Sequence, residues 1–316
     1  MIEKMSLRAR AKRGRSNLII YCGFIMVLSN LTAFSKIGAS AIFLNNGIDA
    51  RTSGMGNTWT TVYSGVYNVY NNPALLYQLE KHNITGTYTM EFSDIRNNFI
   101  GYGHSVSTKT GIAFGWYRTG TSIEETTESE QILGENQFIA DCFFSGIGYN
   151  AKIPGPLGLT LKYINESFGK FYLSGIGFDL GIIPIASKSF KVGVTLKDIF
   201  GTKLEGKSYW SNETIKETIE TKLRIGAMYF SETELEIPKG SIKFNTKFLI
   251  DYEQNFFYPG VEIFIQEIFG LRMGWLSGRG LTFGFSFWYK KINIDYAFLL
   301  NENLGNSHRF TTCLKL

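Results

Sequence analysis

The chain has 316 residues, with 32 Lys and Arg against 27 Asp and Glu. Six of the basic residues and one acidic residue fall within residues 1–35, so the remainder carries no net formal charge and gives no reason to expect nucleic-acid binding. The three histidines, His82, His104 and His308, form no cluster with the spacing of metal ligands, so no metal site is predicted.

Residues 1–35 have the three parts of a secretory signal peptide. Basic residues come first, and the apolar run from Leu18 to Leu28 follows, with the small residues Ala33 and Ser35 at a cleavage site. The apolar run is shorter than the roughly 20 residues that a membrane-spanning helix needs. We therefore predict that residues 1–35 direct export.

Residues 36–80 show neither helical nor alternating apolar periodicity. Glycines stand beside large side chains such as Trp59, Tyr63 and Tyr67, which is too much apolar surface for a solvated tail. The segment must pack against something larger. It is either an irregular arm on a sheet or a hatch (a plug) inside a β-barrel, and the strands that follow favour the hatch.

Residues 81–316 are rich in Phe and Tyr and alternate with period two in about fourteen segments, an even number of the kind that outer-membrane barrels use. The longest connections, 119–137 and 201–219, fall at one end and the short turns mostly at the other. The predicted fold class is therefore an all-β, transmembrane antiparallel β-barrel of about 14 strands with an N-terminal hatch.

One phase of each predicted strand is apolar, and the other is small or charged. In residues 241–252 Phe248 belongs to the first phase and Asn245 to the second. Glycines and charges on one face fit a crowded polar lumen, and the predicted lumen charges are Lys247, Asp251, Glu262, Arg272 and Asp295. The same phases place Cys142 outward and Cys313 inward, so both thiols are predicted to be free.

Residue types that could carry catalysis do not form a catalytic constellation in this sequence. The turn at Gly54, Met55 and Gly56 lacks the preceding strand and the remaining residues of a nucleotide-binding fingerprint. We therefore expect a protein that is not an enzyme and that needs no cofactor.

Two motifs and their order carry a family resemblance. The first is Gly-Ile-Asp-Ala-Arg-Thr-Ser-Gly-Met-Gly over residues 47–56, followed by Asn72, Pro73 and Ala74; the second spans 304–310. In this arrangement the chain resembles the PorV/PorQ-type outer-membrane proteins, which are distant relatives of the FadL-type transporters. The resemblance implies a hatch motif at Arg51, Gly54, Met55, Gly56, Asn72, Pro73 and Ala74, and a last-strand motif at Gly305, His308 and Arg309.

The resemblance also implies what the barrel does in the cell outer membrane. PorV-type similarity, which is the closer one, implies a secretion-associated barrel of the type IX pathway. Its partners would be outer-membrane lipid, secretion-system components and exported proteins. The alternative, FadL-like, is a passage for a hydrophobic small-molecule ligand, opened by movement of the hatch. A structural barrel without cargo is a further alternative.

Overall fold

The chain folds as one large antiparallel sheet in the computed structural model. The structure describes residues 41–91, 95–126, 132–169, 171–208, 214–238, 240–301 and 305–316. The predicted signal peptide and residues 36–40 of the predicted hatch lie outside the described residues. The strands are β1 (His82–Met90), β2 (Arg96–Ser107), β3 (Thr110–Thr126), β4 (Ile132–Tyr149), β5 (Leu157–Phe168), β6 (Phe171–Ala186), β7 (Phe190–Lys197), β8 (Thr202–Ser208), β9 (Thr214–Ile219), β10 (Lys222–Ile237), β11 (Gly240–Glu253), β12 (Phe256–Ile265), β13 (Phe269–Leu276), β14 (Gly280–Tyr289), β15 (Ile292–Leu299) and β16 (Ser307–Lys315).

Fourteen of these strands close into a barrel, which confirms the predicted fold class. β1 pairs with both β2 and β16, and the pairing of β5 with β6 completes the ring. The other two strands, β8 and β9, form a hairpin that continues the wall beyond the end of β7 by pairing with the first residues of β6. We call the end of the barrel that carries this hairpin the outer rim.

The barrel strands alternate between outward and inward side chains. In β13 the outward Leu271, Met273 and Trp275 are exposed, whereas the inward Arg272 and Gly274 are buried. Period-two alternation of this kind is what places one face of a strand outside a closed sheet and the other face in its lumen. The outside of the barrel is therefore an apolar surface.

The hatch fills the lumen with four short helices, η1 (Ile42–Asn46), α1 (Ala50–Ser53), η2 (Gly65–Val69) and η3 (Pro73–Gln78). The side chains of Asp49 and Asn72 cap α1 and η3 by accepting hydrogen bonds from backbone N–H groups. The hatch also bonds opposite walls, because the Ala41 N–H donates to Glu166 of β5 and the Gly56 N–H to Thr282 of β14. Among the described helices, none has the length and apolar character to cross a membrane.

Two predicted outer loops are wrong in extent. Within 119–137 the structure continues β3 and β4 as paired strands to residues 126 and 132, and within 201–219 it forms β8 and β9. Polar residues outnumber apolar ones in these segments, as in the Thr-Ile-Lys-Glu-Thr-Ile sequence of β9. They therefore lack the apolar phase by which the other strands were recognised.

The predicted outward position of Cys142 is also wrong. Cys142 is fully buried with Ala140 and Phe144 in the lumen, although both Cys142 and Cys313 are free thiols as predicted. The apolar phase of β4 faces inward over this stretch because it packs against an apolar part of the hatch rather than against water. The rule that apolar residues face outward does not hold for that part of the wall.

Candidate functional site

The first hatch motif sits on a patch of glycines. Gly54, Met55 and Gly56 lie against three glycines of neighbouring strands, Gly260 of β12, Gly274 of β13 and Gly284 of β14. A Cβ added at Gly274 would lie less than 3.0 Å from backbone atoms of Met55 and Gly56. Gly56 itself has φ +70°, which favours glycine. The glycines of the motif and of the wall thus permit backbone-to-backbone contact.

The second hatch motif has a matching seat on the opposite wall. Asn72, Pro73 and Ala74 lie against Gly148 of β4, Gly158 of β5 and Gly181 of β6. A Cβ added at Gly158 would lie less than 3.0 Å from the backbone of Pro73 and Ala74. The Asn72 side-chain amide donates to the Thr60 carbonyl at 2.7 Å, which ties the two halves of the hatch together.

A buried charge cluster holds the hatch to the wall formed by β11–β15. Arg51 donates two hydrogen bonds to the Glu262 carboxylate, at 2.8 and 2.7 Å. Lys247 and Arg272 contact the same carboxylate at 2.6 and 2.8 Å, and Arg272 also contacts Asp295 at 3.1 Å. Three cations therefore share the Glu262 carboxylate, and Lys247, Glu262, Arg272 and Asp295 lie on the inner face of the wall.

Asp251, another predicted lumen charge, forms a second link between the hatch and the wall. Its carboxylate accepts hydrogen bonds from the backbone N–H groups of Trp59 and Thr60 at 3.0 and 3.1 Å and from the Thr60 hydroxyl at 2.7 Å. Arg224 of β10 contacts the same carboxylate at 3.1 Å. Asp251 is therefore buried with partners from both the hatch and the barrel.

A large cluster of apolar side chains lies on the other side of the lumen. Ring contacts join the hatch to the wall there, with centroids 5.8 Å apart for Phe43 and Tyr117 and 5.9 Å apart for Tyr70 and Phe144. Burial raises the pKa of the Tyr67 and Tyr70 phenols, because the charged phenolate is disfavoured away from water. We call this region the apolar cluster; it includes Phe43, Leu44, Ile48, Val66, Tyr67, Val69, Tyr70, Leu76 and Leu79 of the hatch, and Phe99, Ala113, Tyr117, Ala140, Cys142, Phe144, Ile164 and Leu204 of the wall.

A cavity of about 290 Å³ opens at the outer rim, and we call it the outer cavity. Trp59 and Tyr70 line its inner end and are only 2% and 5% exposed. The Lys197 ammonium lies over both rings, 4.4 Å from the Trp59 centroid and 3.4 Å from that of Tyr70. Tyr70 and Leu44 also belong to the apolar cluster, so the cavity lies directly beside that cluster.

The last-strand motif lies at the same rim and joins the wall to the hatch. Gly305 has φ +94° in the segment just before β16. Arg309 points inward, donates to the Thr89 hydroxyl at 2.8 Å and to the Ser53 hydroxyl, and contacts Glu91. His308 points the other way and shares a hydrogen bond with the Tyr296 hydroxyl at 2.8 Å.

Several functional candidates were missed by sequence reasoning. Lys162 is buried between Asp179 and Asp198, at 2.7 and 2.9 Å, and Lys197 and Arg224 border the outer cavity. The sequence did contain an indication of Lys162, because it lies in the inward phase of β5, between the outward apolar residues Leu161 and Tyr163. Which charges share a cavity depends on strand register around the closed ring, and the sequence does not reveal this.

Searches by sequence find no matching family model and no matching curated protein. Solved structures do match the fold. The P. putida toluene transporter TodX is 12% identical, with a TM-score of 0.58 over 86% of this chain and 99% of that chain. The Ralstonia pickettii toluene transporter TbuX is 12% identical, with a TM-score of 0.54 over 86% and 98%. A Pseudomonas aeruginosa FadL homologue is 7% identical, with a TM-score of 0.53 over 84% and 97%. At these identities the likeness shows a common fold.

Proposed function

We propose that the protein is an outer-membrane channel for small hydrophobic molecules. The outward side chains favour a lipid environment, because residues such as Ile100, Phe248 and Leu271 are half exposed on an apolar surface that encircles the barrel. An apolar surface of this size is rare on a soluble monomer. The shared fold with two toluene transporters and a FadL homologue supports the same interpretation.

The apolar cluster carries the proposal. A barrel that served only as a scaffold could have a polar lumen throughout, yet here a large apolar cluster joins the hatch to the β2–β5 wall, and two of its members, Leu44 and Tyr70, line the outer cavity. The β2–β5 wall is apolar on its outside as well, where Ile100, Phe114, Trp116 and Phe143 line a groove. A hydrophobic molecule beside this wall would thus meet apolar groups on both of its faces.

The secretion role, which was the first hypothesis from the sequence, gains no support from the structural neighbours. Those neighbours are two toluene transporters and a FadL homologue, which favours the alternative hypothesis. Secretion-system components and exported proteins are therefore not among the partners we propose. The proposed partners are outer-membrane lipid and a hydrophobic small molecule.

Uptake of toluene by bacterial cells tests the channel directly. Plain phospholipid is itself permeable to hydrocarbons, so the assay needs cells with an intact outer membrane and no channel of their own for aromatic hydrocarbons. We expect cells that make the protein to take up labelled toluene several-fold faster than cells with an empty vector. Equal rates, with folded barrel present in the outer membrane, would contradict the proposal.

A pair of substitutions on β4 tests where the toluene passes. Ala140→Leu adds bulk to the apolar cluster, whereas Ser145→Leu adds the same side chain to the outward face. We expect the first change to reduce uptake and the second to leave it unchanged. Overpacking costs about 1–3 kcal/mol, so uptake is compared at equal amounts of folded protein. Equal uptake by both variants would place the route elsewhere.

Contact with lipid is tested by two substitutions on β11. Phe248 is 54% exposed on the outer face, whereas Asn245 faces the lumen. Phe248→Arg is expected to lower the free energy of unfolding in lipid vesicles by about 2–4 kcal/mol, because an arginine at mid-depth must leave water for hydrocarbon. Asn245→Arg should change it much less. Reversible unfolding of both variants by urea gives the comparison, and a wild type that stays folded and monomeric in plain buffer would exclude a membrane barrel.

A further inference from the structure

The apolar cluster contains three tyrosines, Tyr67 and Tyr70 of the hatch and Tyr117 of β3, and all three are buried. The hydroxyls of the two hatch tyrosines are paired. Tyr67 accepts a hydrogen bond from the Thr87 hydroxyl at 2.9 Å, and Tyr70 donates to the Leu44 carbonyl. These two phenols therefore follow the rule that buried polar groups are hydrogen-bonded.

The hydroxyl of Tyr117 is an exception to that rule. Tyr117 is only 2% exposed, and its side-chain oxygen has no hydrogen-bond partner in the part of the chain that the structure describes. A hydroxyl that has left water without gaining a partner is unfavourable, because the hydrogen bonds that it made to water are not replaced. A bound molecule that pairs with this hydroxyl would remove that cost.

The immediate neighbours of Tyr117 are apolar. Phe99 of β2 and Cys142 of β4 stand opposite it in the strand pairing, and Phe43 of the hatch stacks on its ring with centroids 5.8 Å apart. A thiol is only a weak hydrogen-bonding group. A buried water molecule needs two to four polar partners, and these three side chains do not supply them. The group that fits beside Tyr117 is therefore itself apolar apart from one polar atom.

We propose that Tyr117 selects small aromatic molecules that carry one hydrogen-bonding oxygen, such as p-cresol. This inference rests on the proposed channel function and names the class of molecule that the apolar cluster favours. The ring of the ligand packs among the apolar side chains, and its oxygen shares a hydrogen bond with the Tyr117 hydroxyl. Because a phenol can donate or accept, both phenols and aromatic ketones belong to this class. A pure hydrocarbon leaves the hydroxyl unpaired, so Tyr117 is a specificity-determining residue.

Two probes of nearly equal shape test the role of Tyr117. p-Cresol and p-xylene differ only in that a hydroxyl replaces one methyl group. Isothermal titration of the folded, detergent-solubilised protein gives the affinity for each probe, and both probes partition into the detergent in the same way for every variant. Tyr117→Phe removes the hydroxyl and keeps the ring. We expect this change to weaken p-cresol binding about tenfold and to leave p-xylene binding unchanged or tighter.

Tyr67→Phe is the matched control, because it removes a buried hydroxyl of the same cluster that already has a partner. It should leave the ratio of the two affinities unchanged. Thermal unfolding without ligand gives a second comparison. Tyr67→Phe should lower the midpoint, since the Thr87 hydroxyl loses its bond to Tyr67, whereas Tyr117→Phe should leave the midpoint unchanged or raise it. Equal decreases in both variants would show that the Tyr117 hydroxyl already has a partner, which would overturn the proposal.

The titrations also separate this inference from the channel itself. If toluene enters cells through the protein but Tyr117→Phe binds p-cresol as tightly as the wild type does, the role of Tyr117 is wrong and the channel stands. Equal losses of affinity for p-cresol and p-xylene would likewise overturn the role of Tyr117. If toluene is not taken up and neither probe binds, both proposals are wrong.

Discussion

Gly274→Val is expected to release the hatch from its seat on β12–β14. The first added carbon would overlap the backbone of Met55 and Gly56. Moving β13 away would break its strand pairing, and moving the hatch away would break the hydrogen bond from Gly56 to Thr282. The barrel strands themselves do not need the hatch backbone for their pairing. We therefore expect a folded barrel whose hatch is cut rapidly by protease and whose lumen conducts ions.

The control for this experiment is Gly86→Val on β1. A Cβ at Gly86 would meet only the Phe99 carbonyl oxygen, at 3.8 Å, so the same type of change has no hatch contact to disturb. Single-channel conductance and limited proteolysis of both variants, in the same lipid, give the comparison. A Gly274→Val protein with wild-type conductance and a protected hatch would show that the glycine seat does not hold the hatch.

Glu262→Ala is expected to lower the free energy of unfolding by about 3–5 kcal/mol, the cost of removing one partner of a buried ion pair. The change leaves Arg51 and Lys247 without the carboxylate that they share, and Arg272 keeps only Asp295 among the partners described above. Uncompensated cations in a lumen that excludes water are strongly unfavourable. Urea-induced unfolding in vesicles measures the loss.

An exposed ion pair on the same protein provides the control. Lys216 of β9 and Glu205 of β8 contact each other at 3.3 Å, and their side chains are 67% and 56% exposed. Glu205→Ala should therefore change stability little, because water and salt screen such pairs. Similar losses from both substitutions would mean that Glu262 contributes no more than a surface carboxylate does. Adding Arg51→Met to Glu262→Ala should restore part of the lost stability.

The barrel strands could be predicted because their surroundings impose a two-residue alternation of apolar and polar or small side chains. Each strand in the wall has one face toward an apolar surface and one toward the lumen, so the sequence alternates, as in Leu271–Trp275 of β13. The strands at the outer rim consist mostly of polar residues, so no apolar period marked β8 and β9 in advance, although Leu204 of β8 is fully buried. The apolar alternation of β4 also led to the wrong prediction that Cys142 faces outward, because in this stretch the apolar residues face an apolar part of the hatch.

The hatch motifs predicted architecture better than function. Gly54, Gly56 and Pro73 lie in seats where the backbone must approach the wall closely, and this is a requirement of packing. A barrel that secretes proteins and one that passes hydrocarbons would need the same seats. Resemblance at these residues therefore does not distinguish the cargo, whereas the apolar cluster bears on it directly.

The central claim is that a small hydrophobic molecule binds at the apolar cluster of the lumen, and a crystal grown with bromobenzene tests it most directly. Bromine can be located by its anomalous scattering without reference to the shape of the ligand. We predict a bromine peak inside the barrel, between the hatch and β2–β5, near Phe144 and Tyr70. Bromine found only on the lipid-facing surface, in crystals of the folded protein, would contradict the claim.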